Sequence, residues 1–152
     1  MSKPLAVITG ASSGIGEATA KAFSKAGYPT LLLARRLEIM ESFNLENSIC
    51  KKVDVRDRDS LVSAIREAED KYGPTDMIFN NAGVARLADI STQDPNEWDE
   101  MIDVNTKGVM NGIYAVMSDM KKRKSGTIVN MSSIAGRKVY EDHTVYCGTK
   151  YF

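Results

Sequence analysis

Tyr146 and Lys150 stand four positions apart. On a helix that spacing sets both side chains on one face, about 6 Å apart along the axis. An ammonium so near a phenol favours the phenolate, which suits Tyr146 to pass a proton. Taken alone, the pair also describes an amphipathic tyrosine beside a surface lysine. Its weight comes from what precedes it: Asn80-Asn81-Ala82-Gly83, Asn105 and Ser132-Ser133, in that order along the chain.

A second constellation lies near the start, in Thr9-Gly10-Ala11-Ser12-Ser13-Gly14-Ile15-Gly16. Glycines there permit a tight turn and close approach of the backbone to a ligand, and the helix that follows offers free N–H groups and a partial positive charge to an anion. A pyrophosphate fits such a site. In dinucleotide-binding folds an acidic residue about 20 residues further on holds the adenosine ribose hydroxyls. Here that stretch reads Ala34-Arg35-Arg36, with no carboxylate. Two guanidiniums suit a ribose 2′-phosphate, to which arginine donates bidentate, charge-assisted hydrogen bonds. The spacing therefore predicts NADP(H) over NAD(H), the alternative being a pair of solvated arginines.

These residues need elements to hold them. Apolar runs at Leu5–Ile8, Thr30–Ala34, Ile49–Val55, Asp76–Asn80 and Thr127–Met131 read as buried strands. Helical periodicity fills the gaps between them. Ile15, Ala18, Thr19, Ala22, Phe23 and Ala26 form one stripe, stopped by Gly27, and Leu61, Ala64, Ile65, Ala68 and Tyr72 form another, closed by Gly73-Pro74. The longest helix starts at Asp94-Pro95-Asn96-Glu97, where Asp94 can cap and Glu97 can complete a capping box. It runs to the basic end Lys121–Lys124, which reads as solvated and dipole-complementing. Its apolar stripe from Trp98 to Met120 holds one strongly polar member, Asn105, beside Gly108 and Gly112. A buried amide must be hydrogen-bonded, so Asn105 either satisfies a loop or strand end or places a polar group at the floor of a site. Alternating strands and helices make an open α/β sheet that binds ligands at the carboxyl ends of its strands.

Composition narrows the partners. Twenty basic residues balance twenty acidic ones, and hydrophobic residues make up 43% of the 152-residue chain. A pI near 6.6 leaves no basic field for nucleic acid or anionic lipid. The apolar run after Pro4 is too short for a signal peptide or a membrane span, which points to a cytoplasmic protein. Cys50 and Cys147 lie far apart with a single histidine in the chain, so neither a disulfide framework nor a metal site is expected.

Together the motifs resemble the short-chain dehydrogenase/reductase family. Its marks stand here as Thr9-Gly10-x-x-x-Gly14-Ile15-Gly16, Asp54-Val55, Asn80-Asn81-Ala82-Gly83, Asn105, Ser133 and Tyr146-x-x-x-Lys150, in the family's order. The resemblance implies a Rossmann-like, doubly wound parallel sheet of strand order 3-2-1-4-5 with helices on both faces. It implies hydride transfer between NADP(H) and a carbonyl or secondary alcohol. Ser133, chosen over Ser132 because it lies thirteen residues before Tyr146, would hold the substrate oxygen. Tyr146 would pass the proton, Lys150 would grip the nicotinamide ribose, and Asn105 would anchor a water in the proton relay. By the same likeness Gly10, Ser12, Ser13 and Ile15 line the pyrophosphate, Asp54 and Val55 meet the adenine, and Asn81, Ala82 and Gly83 border the nicotinamide side. A homodimer or homotetramer is implied through the Pro95–Lys124 and tyrosine-bearing helices. A cofactor-binding or regulatory module without chemistry is the alternative. Members usually continue past the tyrosine helix with another helix and two strands. Residues 1–152 are thus expected to be one dinucleotide-binding domain without the family's final strands, a piece of a longer enzyme. Arg86, Arg137 and Lys138, in loops expected to border the pocket, could favour a carboxylate-bearing substrate.

Overall fold

The computed structural model describes residues 3–152. Five parallel strands form one sheet in the order β3-β2-β1-β4-β5. They are β1 (Leu5–Thr9), β2 (Thr30–Ala34), β3 (Ser48–Lys52), β4 (Thr75–Asn80) and β5 (Thr127–Asn130). Around them lie α1 (Gly14–Lys25), α2 (Leu37–Glu41), α3 (Arg58–Tyr72), α4 (Pro95–Ile102), α5 (Gly108–Arg123) and α6 (Thr144–Tyr151). This is the Rossmann-like arrangement that the alternation of apolar runs and helical stripes predicts.

Every residue of β1 and β2 is buried, because helices cover both faces of the sheet there. Side chains alternate between two cores. Leu31 and Leu33 join Leu5, Val7, Leu61, Ile65, Ile78 and Val116 under α3 and α5, whereas Leu32 joins Ile8, Ala20, Met40 and Phe79 under α1 and α2. No helix among the described residues is long and apolar enough to cross a membrane.

The chain departs from the sequence expectation in several places. The third strand stops at Lys52 rather than Val55, because Asp54 closes an Asx turn in which Arg56 N–H donates to Asp54 Oδ1 at 3.0 Å. The short α2 carries too few residues to show a period. Asp94 does cap α4, accepting from Asn96 N–H at 2.9 Å, but the Glu97 side chain makes no capping box and instead accepts from Gln93 Nε2 at 3.3 Å. Arg123 is not merely solvated: its Nη2 donates to the Thr75 carbonyl at 2.6 Å, tying the end of α5 to the start of β4.

The long helix is also not continuous. Residues Asp103–Lys107 form a π-helical turn between α4 and α5, with Gly108 N–H donating to the Asp103 carbonyl five residues back. The extra residue rotates α5 relative to α4. Ile102 and Met117, counted in the apolar stripe, are 41% and 46% exposed, while Asn111, outside it, is buried. Asn111 Nδ2 donates to the Val55 carbonyl at 2.8 Å and its Oδ1 accepts from Arg58 Nε at 2.9 Å, holding α5 to the start of α3.

Gly112 lets α5 meet the sheet. A Cβ built there would lie 1.9 Å from Oδ1 of Asn80, whose own amide is buried at the end of β4. Alanine inside a helix normally gains about 1 kcal/mol over glycine. Overpacking against a buried, immobile amide costs about 1–3 kcal/mol or more. The clash is the larger effect here, so Gly112→Ala should lower the urea midpoint; a rise would show that Asn80 yields freely.

Candidate active site

At the carboxyl ends of the strands lies a cleft of about 490 Å³. Its lining brings together residues distant in sequence: Gly10, Ser12, Ser13 and Ile15 after β1, Arg35 and Arg36 after β2, Asp54 and Val55 after β3, and Asn81, Ala82 and Gly83 after β4. Ser133 after β5, with Tyr146 and Lys150 of α6, closes the other end. Gly14, Gly16 and Asn105 do not line it.

The glycines of the turn shape the cleft, Gly10 from within its lining and Gly14 and Gly16 from behind. Gly10 and Gly14 adopt φ of +65° and +57°, the left-handed region that glycine enters without strain. At Gly16 the demand is space, since a Cβ would lie 2.3 Å from the Gly10 carbonyl oxygen. Asn81 braces the same turn: its Nδ2 donates to the Thr9 carbonyl at 3.0 Å and to the Gly10 carbonyl at 3.3 Å. Thr9 returns the support, its Oγ1 accepting from the N–H groups of Asn81 and Ala82, both at 3.0 Å. The first and fourth strand ends are thereby locked to each other.

On the side of β2, Arg36 folds back over the glycine turn. Its Nε and Nη2 donate to Ser12 Oγ at 3.2 and 2.9 Å, and Nη2 donates to Ser13 Oγ at 2.9 Å. Asp54 is bound by Arg56 through both oxygens, with Nη2 at 2.6 Å from Oδ2, and this guanidinium holds the Asp54 carboxyl below the usual carboxylate range.

At the opposite end Ser133 caps a 3₁₀ turn, Ile134–Gly136, its Oγ accepting from Ala135 N–H at 3.2 Å. Lys150 Nζ donates to the Met131 carbonyl at 3.0 Å and lies 5.8 Å from the centre of the Tyr146 ring. Ser132 also lines the cleft, but its hydroxyl donates to the Lys150 carbonyl at 3.1 Å, fastening α6 to the end of β5. Among the basic loop residues, Arg86 is already paired with Glu100 at 3.0 Å.

Asn105 sits behind the cleft, 2% exposed, and both ends of its amide are engaged. Oδ1 accepts from Val84 N–H at 2.8 Å, while Nδ2 donates to the Val84 carbonyl at 2.8 Å and to Thr149 Oγ1 at 3.1 Å. Thr149 Oγ1 in turn donates to the Tyr146 carbonyl at 2.8 Å. The loop after β4 and the helix bearing Tyr146 are thus joined through one buried amide. Sequence reasoning missed Thr149 and the Met131 carbonyl. A threonine one residue before a lysine carries no signal, and a backbone acceptor carries none at all.

Burial pushes the Lys150 ammonium down from the ordinary lysine value of 10.5. A lysine that binds its proton less tightly when folded costs stability while it is protonated in both states. That cost is relieved as pH rises through the window between the lowered folded value and 10.5. Stability should therefore rise with pH across that window relative to Lys150→Met, in paired urea titrations. Parallel curves for the two proteins would rule the effect out.

Comparison with known proteins agrees with this arrangement. A family model described as short chain dehydrogenase matches residues 4–152. An uncharacterized oxidoreductase of Staphylococcus saprophyticus is 44% identical over 149 residues, covering 95% of this chain and 61% of the relative. An acetoacetyl-CoA reductase of Paracoccus denitrificans is 37% identical over 148 residues, covering 96% of this chain and 61% of that protein. The closed form of a serine dehydrogenase complexed with NADP+ superposes with a TM-score of 0.93 at 30% identity, over 97% of this chain and 61% of that one. The chain thus spans about three-fifths of the length of each of these proteins.

Proposed function

The chain belongs to the short chain dehydrogenase family, and from that premise we propose that the protein is an oxidoreductase moving a hydride between NADP(H) and a carbonyl or secondary alcohol. The observation that carries this reading is one cleft with Tyr146, Lys150 and Ser133 at one end and the glycine turn with Arg35 and Arg36 at the other. The residues present fit a phosphorylated dinucleotide. The turn between β1 and α1 is shaped by left-handed glycines and opens onto a helix start, and the end of β2 offers guanidiniums where a ribose diol would need a carboxylate. A relative named for a reductase activity and a structural neighbour complexed with NADP+ support the same reading.

When bound, the nicotinamide supplies or receives the hydride. The chain's own side chains orient the substrate and handle the proton. Ser133 Oγ accepts from Ala135 N–H, so its own proton is free to donate to the substrate oxygen. Tyr146 gives that oxygen its proton in reduction and removes it in oxidation. Lys150 spends one N–H on the Met131 carbonyl, leaving two for the nicotinamide ribose and the Tyr146 oxygen. A Cβ on Gly83 would lie 3.2 Å from Asn105 Oδ1 and 3.6 Å from Lys150 Nζ. The space left by its absence is where Asn105 anchors the relay water. Gly10, Ser12, Ser13 and Ile15 take the pyrophosphate, Asp54 and Val55 the adenine, and Asn81, Ala82 and Gly83 the nicotinamide side.

Assembly belongs to the same proposal. Met110, Tyr114 and Met117 lie 51%, 65% and 46% exposed on one side of α5, and Ile102 of α4 is exposed as well. A second copy covering these helices gives a homodimer, read out by sedimentation. The activity is tested on the full-length protein by following NADPH and NADH oxidation with a panel of ketones, aldehydes and 2-oxo acids. Turnover with NADPH favoured is the expected result; no oxidation with any carbonyl overturns the reading.

A further inference from the structure

His143, the one histidine in the chain, stands three residues before Tyr146, and Lys150 stands four residues after it. The helical spacing extends back to His143, because its carbonyl accepts from Cys147 N–H at 2.7 Å. His143, Tyr146 and Lys150 therefore follow one another along one face of α6, with steps of about 4.5 and 6 Å along the axis. In the proposed reaction Lys150 meets the nucleotide ribose and Tyr146 the reacting oxygen. His143 comes next, just outside the cleft lining, on the side of Tyr146 away from Lys150.

The imidazole is held in place. Its Nδ1 is bonded to the Glu141 carbonyl, it packs edge-on against Tyr146 at 6.2 Å, and the Tyr140 ring leans on it at 5.5 Å. The residue before it, Asp142, is tied to the loop after β4, its carbonyl accepting from Ala88 N–H at 3.1 Å. A carbonyl only accepts, so Nδ1 carries the proton of the neutral ring and Nε2 is left a bare acceptor. No group among the described residues donates to it. His143 is the N-cap of α6, yet its side chain makes no capping hydrogen bond, so the ring does not serve the helix either. A fixed acceptor one step beyond the reacting oxygen selects a donor. A carboxylate would set its own lone pairs against Nε2, and two cations of the neighbouring loops are engaged elsewhere, Arg86 with Glu100 at 3.0 Å and Lys138 over the Tyr140 ring at 5.4 Å. A hydroxyl fits.

We propose that His143 is a specificity-determining residue whose Nε2 accepts from a substrate hydroxyl on the first or second carbon beyond the carbonyl, so that hydroxyketones are preferred to plain ketones. A site that holds a polar group ready for a hydroxyl discriminates against the analogue lacking it, because the group is then left unpaired. This rests on the reading of the protein as an oxidoreductase acting on carbonyls.

The test is NADPH oxidation by the full-length protein, at about pH 8 where an ordinary imidazole is neutral, with 2-butanone, 3-hydroxy-2-butanone, 4-hydroxy-2-butanone and 3-oxobutanoate. The quantity read is kcat/KM of the better hydroxyketone relative to that of 2-butanone. His143→Phe keeps an aromatic ring against Tyr146 but removes the acceptor, and should cut this ratio about five- to tenfold. His143→Gln, which keeps an acceptor, should hold it within about threefold of the native value. A residue that only packs would slow every ketone in proportion and leave the ratio unchanged. Nitrogen-15 spectra of histidine-labelled protein give a second readout: the signal lost in His143→Phe should be that of a neutral ring protonated on Nδ1. The inference is overturned, while the oxidoreductase reading stands, if the ratio survives His143→Phe or if the ring carries its proton on Nε2. The same holds if 3-oxobutanoate is preferred to both hydroxyketones, or if other carbonyls are reduced but neither hydroxyketone is. If no carbonyl is reduced at all, the oxidoreductase reading itself is lost and the inference with it.

Discussion

Tyr146→Phe is expected to lower kcat/KM for carbonyl reduction by a factor of about 10² to 10⁴, the usual share of general acid–base catalysis. The substitution removes one oxygen and keeps the ring, which packs edge-on at 6.2 Å from His143. Nucleotide affinity should change by no more than about twofold, since the phenol oxygen acts on the substrate's reacting oxygen and the rest of the side chain is kept. Single-turnover oxidation of NADPH in the full-length protein separates the two quantities. A Phe variant as fast as the native enzyme would take Tyr146 out of the proton path, and a large loss of nucleotide affinity would make its role one of binding.

Asn105→Ala should be the most destabilising of the changes considered. It leaves the N–H and the carbonyl of Val84 without their partner at a buried position and removes a donor to Thr149. Each orphaned buried polar group costs about 1–3 kcal/mol, so a total of about 2–6 kcal/mol is expected. Asn105→Asp keeps an acceptor for Val84 N–H but sets a carboxylate against the Val84 carbonyl, and should also destabilise. Denaturant unfolding with the m-value monitored gives the answer. A loss below about 1 kcal/mol would mean that water replaces the amide and that the link from the β4 loop to α6 carries little.

The parts of this architecture written in residue type were readable in advance. Continuous apolar runs at Leu5–Ile8 and Thr30–Ala34 read as strands covered on both faces, and Gly10, Gly14 and Gly16 read as a tight turn at the start of a helix. Arg35 and Arg36 were expected near the glycine turn from their spacing, and the family resemblance joined Tyr146 and Lys150 to the same cleft, which all four line. Harder to read were features that depend on which partner a polar side chain finds. The edge strand β3 holds Ser48, Lys51 and Lys52, whose polarity blurs its ends. Asn111 lies outside the apolar stripe of the sequence, since its burial depends on the rotation that the π turn imposes. Ser12 and Ser13 could be placed near a phosphate, but nothing in the sequence tells that their hydroxyls turn to Arg36 rather than to the helix.

The π turn at Asp103–Lys107 makes this stretch sensitive to length more than to composition. Each residue of a regular helix carries about 100° of rotation. Deleting one from the turn would let the helix heal and swing α5 by more than a quarter circle, taking Asn111 from the Val55 carbonyl and Gly112 from Asn80 together. Natural variants of the protein should therefore exchange side chains freely at exposed Lys107 while keeping the number of residues between Asp94 and Gly112 fixed.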